Sequence, residues 1–420
     1  MMPQTFSSTE FHLDFLLLRK SSHFAMLEDF LSAIIAQIKI SRFFNSIPFK
    51  WNLKTRRLIE DTNKLYNFNY KIGRFVHATY ATFMATSFTH MWLTSDTKGG
   101  ISVDQILSIG WICCHCGSGI LSAGVAHKMD QLLRLINSFL EFEEKLCEDV
   151  SERTKGHWVI KLLCYLGCAA SLGMPTFICL MIAFHPCLPP MVGYSLLDCA
   201  TIADPASASF WLRNPLLVFN ILTWYNAFGM AYFLMFPAFY LPMICLKEYL
   251  RTLQQVTLRQ FDKGKITTDA ATRATIITIY RRMQILELKF NSCYQTVFLP
   301  TTLLACMLSA MTSLFVAIRL HDAVPIAGMG FFCLKLSILF VLFVFVFGFG
   351  GKIHTGSEEM LAKWRQVEGL ATHKDFRRAV WSFRSLKVKY GDYGFIDKLT
   401  PLVLNAFVVG LTVNLLLIVE

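Results

Sequence analysis

Long apolar stretches, separated by polar and mostly basic connections, run along this chain. Each stretch has about 20 mostly apolar residues, the length that an α-helix needs to cross the hydrocarbon core of a bilayer. The pattern predicts seven transmembrane helices at residues 73–93, 101–125, 160–184, 214–246, 297–320, 324–350 and 398–419. The second span is the weakest, because Asp104, Gln105 and His115 interrupt it.

The lysines and arginines indicate the direction of these spans. Taken in order, the N-terminal region, the six connections and the C-terminal tail hold 10, 1, 5, 1, 9, 1, 9 and 0 of them, when Arg319 is counted with the short turn near 319–323. Positive charge favours the cytoplasmic side of a membrane. The alternation therefore predicts a cytoplasmic N-terminus and, after seven crossings, an extracellular C-terminus.

The predicted fold is an all-α polytopic membrane protein in four parts. Residues 1–72 form a cytoplasmic N-terminal region, and residues 73–350 form a six-helix bundle that contains the ligand pocket and a helical extension at 247–296. Residues 351–397 form cytoplasmic anchor helices, and residues 398–420 form a terminal helix. Amphipathic patterns in 247–296 and 351–397 predict helices that pack into a cytoplasmic domain.

The composition excludes several classes of function. The chain is 54% hydrophobic and only 16% charged, whereas soluble domains carry about 25% charged residues. The net charge of +11 is explained by the basic inner connections, so we expect no nucleic-acid partner. No nucleophile elbow, phosphate loop or metal-ligand quartet occurs, so we predict neither an enzyme nor a cofactor.

One cluster of cysteine and histidine side chains has the composition of a metal site. Cys113, Cys114, His115 and Cys116 follow one another in the second span. Consecutive positions on a helix point to different faces, so they cannot all bind one ion. We therefore predict no metal site.

The whole architecture resembles the arthropod seven-transmembrane chemoreceptor superfamily of gustatory and odorant receptors. The end of the chain, FRRAVWSFRSLKVKYGDYGFIDKLTPLVLNAFVVGLTVNLLLIVE, is similar to the basic cytoplasmic helix, Gly/aromatic connector and terminal helix of that family. The gustatory branch typically ends in Thr-Tyr, five apolar residues and Gln-Phe. Thr412 and part of the apolar run match, whereas Val413 and Val419 replace the Tyr and Gln. The chain is thus identified as a divergent member.

The resemblance implies a ligand-gated, non-selective cation channel in the plasma membrane of chemosensory neurons. Its subunits form a homo- or hetero-tetramer with related receptors, and a small tastant or odorant opens it. The last helix of each subunit lines the pore. The cytoplasmic ends of helices four to seven form the contacts between subunits.

The terminal helix carries the predicted pore. Since a helix turns about 100° per residue, one stripe roughly 80° wide holds several polar and apolar side chains. With the mouth residue, the predicted pore lining is Asn405, Val409, Thr412, Leu416, Val419 and Glu420. Leu416 falls where the family places its apolar gate, and Glu420 would form a negative ring at the outer mouth. The alternative is a packed helix whose Asn and Thr side chains bond neighbouring helices, as is expected of Asn414.

The resemblance places the ligand in the outer half of the bundle, among helices two, three, four and six. The predicted ligand contacts are Trp111, Phe177, Met181, Asn220, Trp224, Tyr225, Phe228, Met329, Phe332 and Lys335. Aromatic and Met side chains at helical spacing are equally typical of a packed core. Lys335 lies near the middle of the sixth span, where a charge suggests function. It could meet an acidic ligand or a buried carboxylate, or its long stem could snorkel to the surface.

Two further features have structural interpretations. Cys187 and Cys199 lie in the extracellular connection between the third and fourth spans, where a disulfide can form. The GFGG motif at 348–351 closes the sixth span and is interpreted as a helix end.

Two other classes of protein stay open. A seven-helix G-protein-coupled receptor has its N-terminus outside, which the basic connections oppose. A small-molecule transporter often shows inverted repeats, and the chain shows no repeat.

Overall fold

The computed structural model of the protein describes residues 26–94, 103–150, 158–184, 191, 210–262, 270–322, 326–366, 374–392 and 394–418. The helices are α1 (Met26–Phe43), α2 (Lys64–Thr94), α3 (Val103–His127), α4 (Met129–Val150), α5 (Trp158–Phe184), α6 (Phe210–Phe233), α7 (Leu241–Asp262), α8 (Ala270–Cys293), α9 (Leu299–Arg319), α10 (Ile326–Leu342), α11 (Gly348–Gln366), α12 (Lys374–Ser382) and α13 (Thr400–Ile418). Two short antiparallel hairpins pair β1 (Phe49–Asn52) with β2 (Arg57–Glu60) and β3 (Lys389–Tyr390) with β4 (Gly394–Phe395). The predicted all-α class is confirmed.

Six helical stretches in these ranges are long and apolar enough to cross a membrane. They are Ser108–His127, Lys161–Phe184, Asn214–Arg259, Ala270–Arg319, Gly328–Gln366 and Thr400–Ile418. They overlap the predicted second to seventh spans, which are therefore confirmed as apolar helices. The first predicted span, 73–93, lies in α2 and is not among the six. It stays a prediction, as does the direction of the spans.

The polar composition of α2 explains why its apolar character is weaker. The hydroxyls of Thr79, Thr82 and Thr89 each donate a hydrogen bond to the carbonyl oxygen four residues earlier in the helix. A hydroxyl that is satisfied in its own helix can face an apolar environment. The opposite face of α2 buries Tyr80 and Met84 in the bundle.

Three pairs of helices join end to end into continuous rods. A π-helical turn connects each pair: Leu234–Tyr240 between α6 and α7, Tyr294–Phe298 between α8 and α9, and Phe343–Phe347 between α10 and α11. The rod from Ala270 to Arg319 has 50 residues. At about 1.5 Å per residue it is about 75 Å long, more than twice the thickness of a bilayer core. A rod of this length extends well beyond the hydrocarbon core of a bilayer.

The π-helical turns also meet each other in the core. The Tyr294 hydroxyl donates a hydrogen bond to the Ala238 carbonyl oxygen at 2.6 Å. The Phe239 and Tyr294 rings lie 5.1 Å apart in an edge-to-face arrangement. Two rods are thus fixed to each other at the level where their regular hydrogen bonding changes.

The rods pack with α1, α4 and α12 into one hydrophobic cluster. It includes the buried rings of Tyr249 in α7 and Trp364 in α11. Within it, the buried carboxylate of Glu287 accepts hydrogen bonds from Arg384 and Asn291. This satisfies the need of a buried charge for a partner. The helical extensions predicted within 247–296 and 351–397 are present in the described residues of those segments.

The glycines of the GFGG motif allow the segment before α13 to lie close to α11, and they do not end a helix. The chain continues from the π-helical turn directly into α11 at Gly348, so the interpretation as a helix end was wrong. A Cβ atom on Gly350 would lie 2.8 Å from Cγ2 of Ile396, and one on Gly351 would lie 2.5 Å from the Asp397 carbonyl oxygen. Only glycine lets the segment before α13 pass so near to α11.

The first hairpin is held by one buried carboxylate. Asp61 is 2% exposed and accepts hydrogen bonds from Arg42, from Lys50 at 3.3 Å and from the Asn63 N–H at 3.0 Å. Burial raises the pKa of Asp61, but the Asn63 hydrogen bond and the charges of Arg42 and Lys50 together lower it by more. Its pKa therefore lies below the ordinary value, and the ionised form stabilises the fold.

Replacing Asp61 should destabilise the protein and flatten its response to acid. Asp61→Asn should lower the free energy of unfolding by about 1–3 kcal/mol at neutral pH, because it removes a charged acceptor from three donors. A lowered pKa contributes stability above the unfolded value near 4 that is lost as pH falls through the folded value. The wild-type unfolding midpoint should therefore fall more steeply than that of Asp61→Asn between about pH 5 and about pH 3, measured by thermal unfolding in detergent.

Glu144 supplies a matched control in the same region. It pairs with Arg57 at 2.6 Å but is exposed, so Glu144→Gln should cost less than about 1 kcal/mol. Equal losses for the two variants would contradict the role given to Asp61.

Candidate ligand cavity and terminal helix

Five helices enclose an apolar cavity of about 170 Å³ in the bundle. It lies among α3, α5, α6, α9 and α10, and most of its wall is aliphatic or aromatic. The lining residues are Trp111, Cys114, Gly117, Ser118, Leu121, Met174, Ile178, Trp224, Ala227, Phe228, Ala231, Tyr232, Met235, Thr302, Ala305, Cys306, Ser309, Phe331, Lys335, Ile338 and Leu339. A concave, mostly apolar site with a few polar groups is the usual form of a small-molecule site.

Two buried tryptophans give one side of the cavity a rigid wall. The Trp111 and Trp224 rings lie 5.6 Å apart in an edge-to-face arrangement, and Phe331 stacks on Trp111 at 5.4 Å. His115 packs against Trp224 at 3.9 Å between ring centroids. Among the described residues, neither indole N–H has a hydrogen-bond partner. The wall thus combines a well-packed apolar surface with unused donors.

Lys335 brings a positive charge to this wall. Its side chain is 7% exposed, and its ammonium lies 5.8 Å from the centre of the Trp111 ring. It approaches α3 at Gly110, where a Cβ atom would lie 3.7 Å from Lys335 Nζ. Among the side chains that the structure describes, no carboxylate lies within 4.0 Å of the ammonium. Its buried position inside the bundle disfavours the snorkelling alternative.

Four of the ten predicted ligand contacts line the cavity. They are Trp111, Trp224, Phe228 and Lys335. Phe332 is buried beside Trp111, with ring centres 6.4 Å apart, but it does not reach the cavity.

Three further predicted contacts pack against the hydrophobic cluster that includes Trp111, Trp224 and Phe331. Phe177 stacks on Phe331 at 5.3 Å, so it supports a lining residue from behind. Met181 and Met329 pack, partly buried, against the same hydrophobic cluster. None of the three lines the cavity.

The last two predicted contacts make hydrogen bonds elsewhere. The Asn220 side chain accepts a hydrogen bond from the Tyr80 hydroxyl at 2.6 Å and donates one to the Leu216 carbonyl. The Tyr225 hydroxyl shares a hydrogen bond with Thr176, and its ring stacks on Phe44 at 4.3 Å. Both side chains join helices together and do not line the cavity.

Helix α9 lines the cavity, although none of its residues is among the predicted ligand contacts. Thr302, Ala305, Cys306 and Ser309 all line the cavity. Their spacing of three and four residues places them on one face of a helix. This pattern was visible, but small residues on a helix face are as typical of close helix packing as of a ligand site.

The cysteines and histidine of the second span take packing roles. His115 is fully buried between Tyr80 and Trp224, and Cys114 lines the cavity near the Ser309 hydroxyl. Within the described residues, no group of three or more His, Cys, Asp or Glu side chains could hold a metal ion.

The terminal helix α13 packs on α9 and leaves about half of its surface free. Val408 and Thr412 are its buried residues, and the Thr412 hydroxyl donates to the Val408 carbonyl at 2.8 Å in the same helix. Leu416 is half-buried against the hydrophobic cluster. On the free side, Val409 is 52% exposed.

The predicted pore stripe therefore straddles the edge of the buried face. Thr412 is 1% exposed and packs inside its own subunit, and its place in the pore lining stays a prediction. Asn405 is half-buried, with its amide donating to the Pro401 carbonyl at 2.8 Å. Asn414 is exposed on the opposite side, as its position on the helix predicts. Its expected hydrogen bond to a neighbouring helix is not made among the described residues and stays a prediction.

Four predicted residues cannot be placed. Val419 and Glu420 at the pore mouth, and the candidate disulfide pair Cys187 and Cys199, lie outside the described residues.

Comparison with known proteins gives a match of fold. No protein-family model matches the sequence, and no curated protein matches it. The structure of the insect olfactory receptor OR5 from Machilis hrabei in complex with eugenol is similar, with a TM-score of 0.63 at 12% identity, covering 92% of this chain and 98% of that one. A second structure of that receptor gives a TM-score of 0.54 at 12% identity and covers 91% and 96% of the two chains. The chain thus has the fold of an insect olfactory receptor, and the resemblance is confirmed at the level of fold.

Filling the cavity should stabilise the protein. Ala231→Leu adds three carbons to a cavity-lining position, and burying about 0.8 kcal/mol per CH₂ group gives up to about 2 kcal/mol. The thermal unfolding midpoint in detergent should rise or stay unchanged. The control Ala169→Leu, on the exposed face of α5, should have no effect. A lower midpoint for Ala231→Leu than for the control would show that the space beside Ala231 is already filled.

Proposed function

We propose that this protein is a divergent chemoreceptor of the arthropod seven-transmembrane superfamily and acts as a ligand-gated, non-selective cation channel. The observation that carries the proposal is the fold match over 92% of the chain to an insect olfactory receptor. Six apolar helices and an aromatic cavity between them support it. The basic connections favour a cytoplasmic N-terminus, and such a receptor belongs in the plasma membrane.

The proposed ligand is a small external tastant or odorant. A cavity of about 150 Å³ holds a benzene molecule, so the cavity of about 170 Å³ fits a single-ring compound. The olfactory receptor OR5 was solved with eugenol, which is a small aromatic molecule. The end of the chain, with Thr412 and its apolar run, supports the gustatory type. Ligand would favour the open state through a higher affinity for that state.

The proposed pore is built by α13 from four subunits, as a homo- or hetero-tetramer. The described part of α13 buries only Val408 and Thr412 in its own subunit, and its exposed side is apolar. Such a surface needs lipid or another subunit against it. Asn405 and Leu416 lie along the edge between the buried and free sides, and Val409 lies beside them on the free side, where the three could face a central axis. Rings of apolar side chains close such pores by excluding water.

Cells that express this chain should carry a rapid cation current when a suitable small molecule is added. The current should persist when G-protein signalling is blocked, because a channel needs no second messenger. Leu416→Ala should raise the current without ligand, since a smaller ring holds water more readily. Leu417→Ala, at an exposed neighbouring position, should behave as wild type. Whole-cell recording against sugars, bitter compounds and volatiles measures both.

A current that disappears with the G-protein block would contradict the channel and favour a G-protein-coupled receptor. Transport of the ligand without ion current would favour a transporter.

Cysteine substitution on α13 should distinguish the pore side from the lipid or subunit side. Val409 and Phe407 are 52% and 53% exposed, but they lie about 160° apart around the helix. A charged, membrane-impermeant thiol reagent should block the current of Val409→Cys and spare that of Phe407→Cys. Wild type, with its 13 native cysteines, sets the baseline. Block of Phe407→Cys alone would place the pore on the other side of α13.

A further inference from the structure

Lys335 is a buried cation with no anionic partner in the part of the chain that the structure describes. Its side chain is 7% exposed, it lines the cavity, and no described carboxylate lies within 4.0 Å of its ammonium. Lys335 lies nine residues into α10, about 14 Å along the helix axis. A charge at this depth is costly, so such residues by default mark a functional site.

The described surroundings compensate this charge only in part. The Trp111 ring gives a cation–π contact at 5.8 Å, near the outer limit for such contacts. The Thr312 hydroxyl is close to α3 at Gly110, but it donates to carbonyl oxygens of its own helix. An ammonium with three donors is therefore left with no charged acceptor in the described part of the bundle.

Further donors on the same wall also lack acceptors. Trp111 and Trp224 both line the cavity, and the indole nitrogen of each is buried without a hydrogen-bond partner among the described residues. An indole N–H can only donate, and so can an ammonium. Both indole nitrogens are themselves covered by protein atoms, so the donor that a ligand can satisfy is the Lys335 ammonium, and that ligand must bring an acceptor. The Ser118 hydroxyl, which also lines the cavity, already shares a hydrogen bond with His77 and donates one to the His115 carbonyl oxygen.

Resting on the proposed receptor function, we infer that the cavity selects small carboxylic acids, with Lys335 binding the carboxylate. Acids of this kind have a pKa near 4, so they are anions at neutral pH. A carboxylate offers about four acceptor sites and no donor, which complements the ammonium of Lys335. The stacked rings of Trp111 and Phe331 then take the apolar body of the ligand. The volume of about 170 Å³ limits that body to one ring or a short chain.

Binding of matched acids and amides to the purified full-length receptor tests this inference. The pairs are benzoate with benzamide, phenylacetate with phenylacetamide, and hexanoate with hexanamide. Each amide has nearly the shape of its acid without the charge. Affinity is measured in lipid nanodiscs from the rise of the thermal unfolding midpoint with ligand concentration, which needs no channel opening.

At least one acid should bind about tenfold or more tightly than its amide, because it pairs with a buried charge. Lys335→Met keeps the side-chain length without the charge and should remove that preference. Lys335→Arg keeps the charge and should retain part of it. The midpoint without ligand, and amide binding, show whether each variant is folded. The comparison of acid and amide on the wild type needs no variant.

Three results would overturn the inference. One is equal binding of acid and amide by the wild type for every pair. Another is an acid preference that persists in Lys335→Met. The third is a rise of the unfolding midpoint with sodium chloride, relative to sodium methanesulfonate, that equals the rise with the acid. That result would assign the site to an inorganic anion.

Failure of the receptor function gives a different pattern. If an acid binds through Lys335 but no ligand evokes a current, the acid site stands and the channel fails. If neutral ligands evoke currents while acids bind no better than amides, the channel stands and the acid site fails.

Discussion

The arrangement of the terminal helix depends on one backbone contact, in which the segment before α13 lies directly against α11. A side chain at Gly351 would overlap the Asp397 carbonyl, at 2.5 Å from its oxygen. Asp397 in turn accepts hydrogen bonds from the N–H groups of Leu399 and Thr400 at 3.0 and 2.8 Å. These bonds satisfy donors at the start of α13 that have no partner within the helix. The same short segment thus docks on α11 and fixes the first turn of α13.

The rod that carries this contact also carries the charged wall of the cavity. Lys335 and Phe331 belong to α10, which continues through the π-helical turn Phe343–Phe347 into α11. The cavity and the support of α13 therefore lie at two levels of one continuous helix. A single rigid element between two sites is the simplest physical link between ligand binding and a pore. A π-helical turn in such an element is frequent at functional positions.

The features that the sequence predicted well are those that depend on the lipid around the protein. The length of the apolar stretches predicted six spans, because a backbone in lipid must make all its hydrogen bonds within the protein. The family resemblance, which places the ligand in the outer half of the bundle, predicted Trp111 and Trp224. The features that the sequence missed depend on which helices meet. Periodicity put Thr412 and Val409 on one stripe of α13, but only the contact with α9 shows that the buried face passes through Thr412. Likewise, nothing local to GFGG indicates that Ile396 and Asp397 pass within Cβ distance of it.

A shared fold at 12% identity leaves the chemistry of the cavity free to differ between this chain and the olfactory receptor. Helix length, backbone satisfaction and apolar surface maintain the architecture, and many sequences meet these demands. A pocket lined by apolar side chains discriminates weakly between ligands of similar size, whereas one buried charge or donor discriminates strongly, since a mismatched ligand leaves it unpaired. The ligand preference proposed for this chain should therefore follow from Lys335, the buried charge that lines its cavity. A relative with the same helices and different polar groups in its cavity is no guide to that preference.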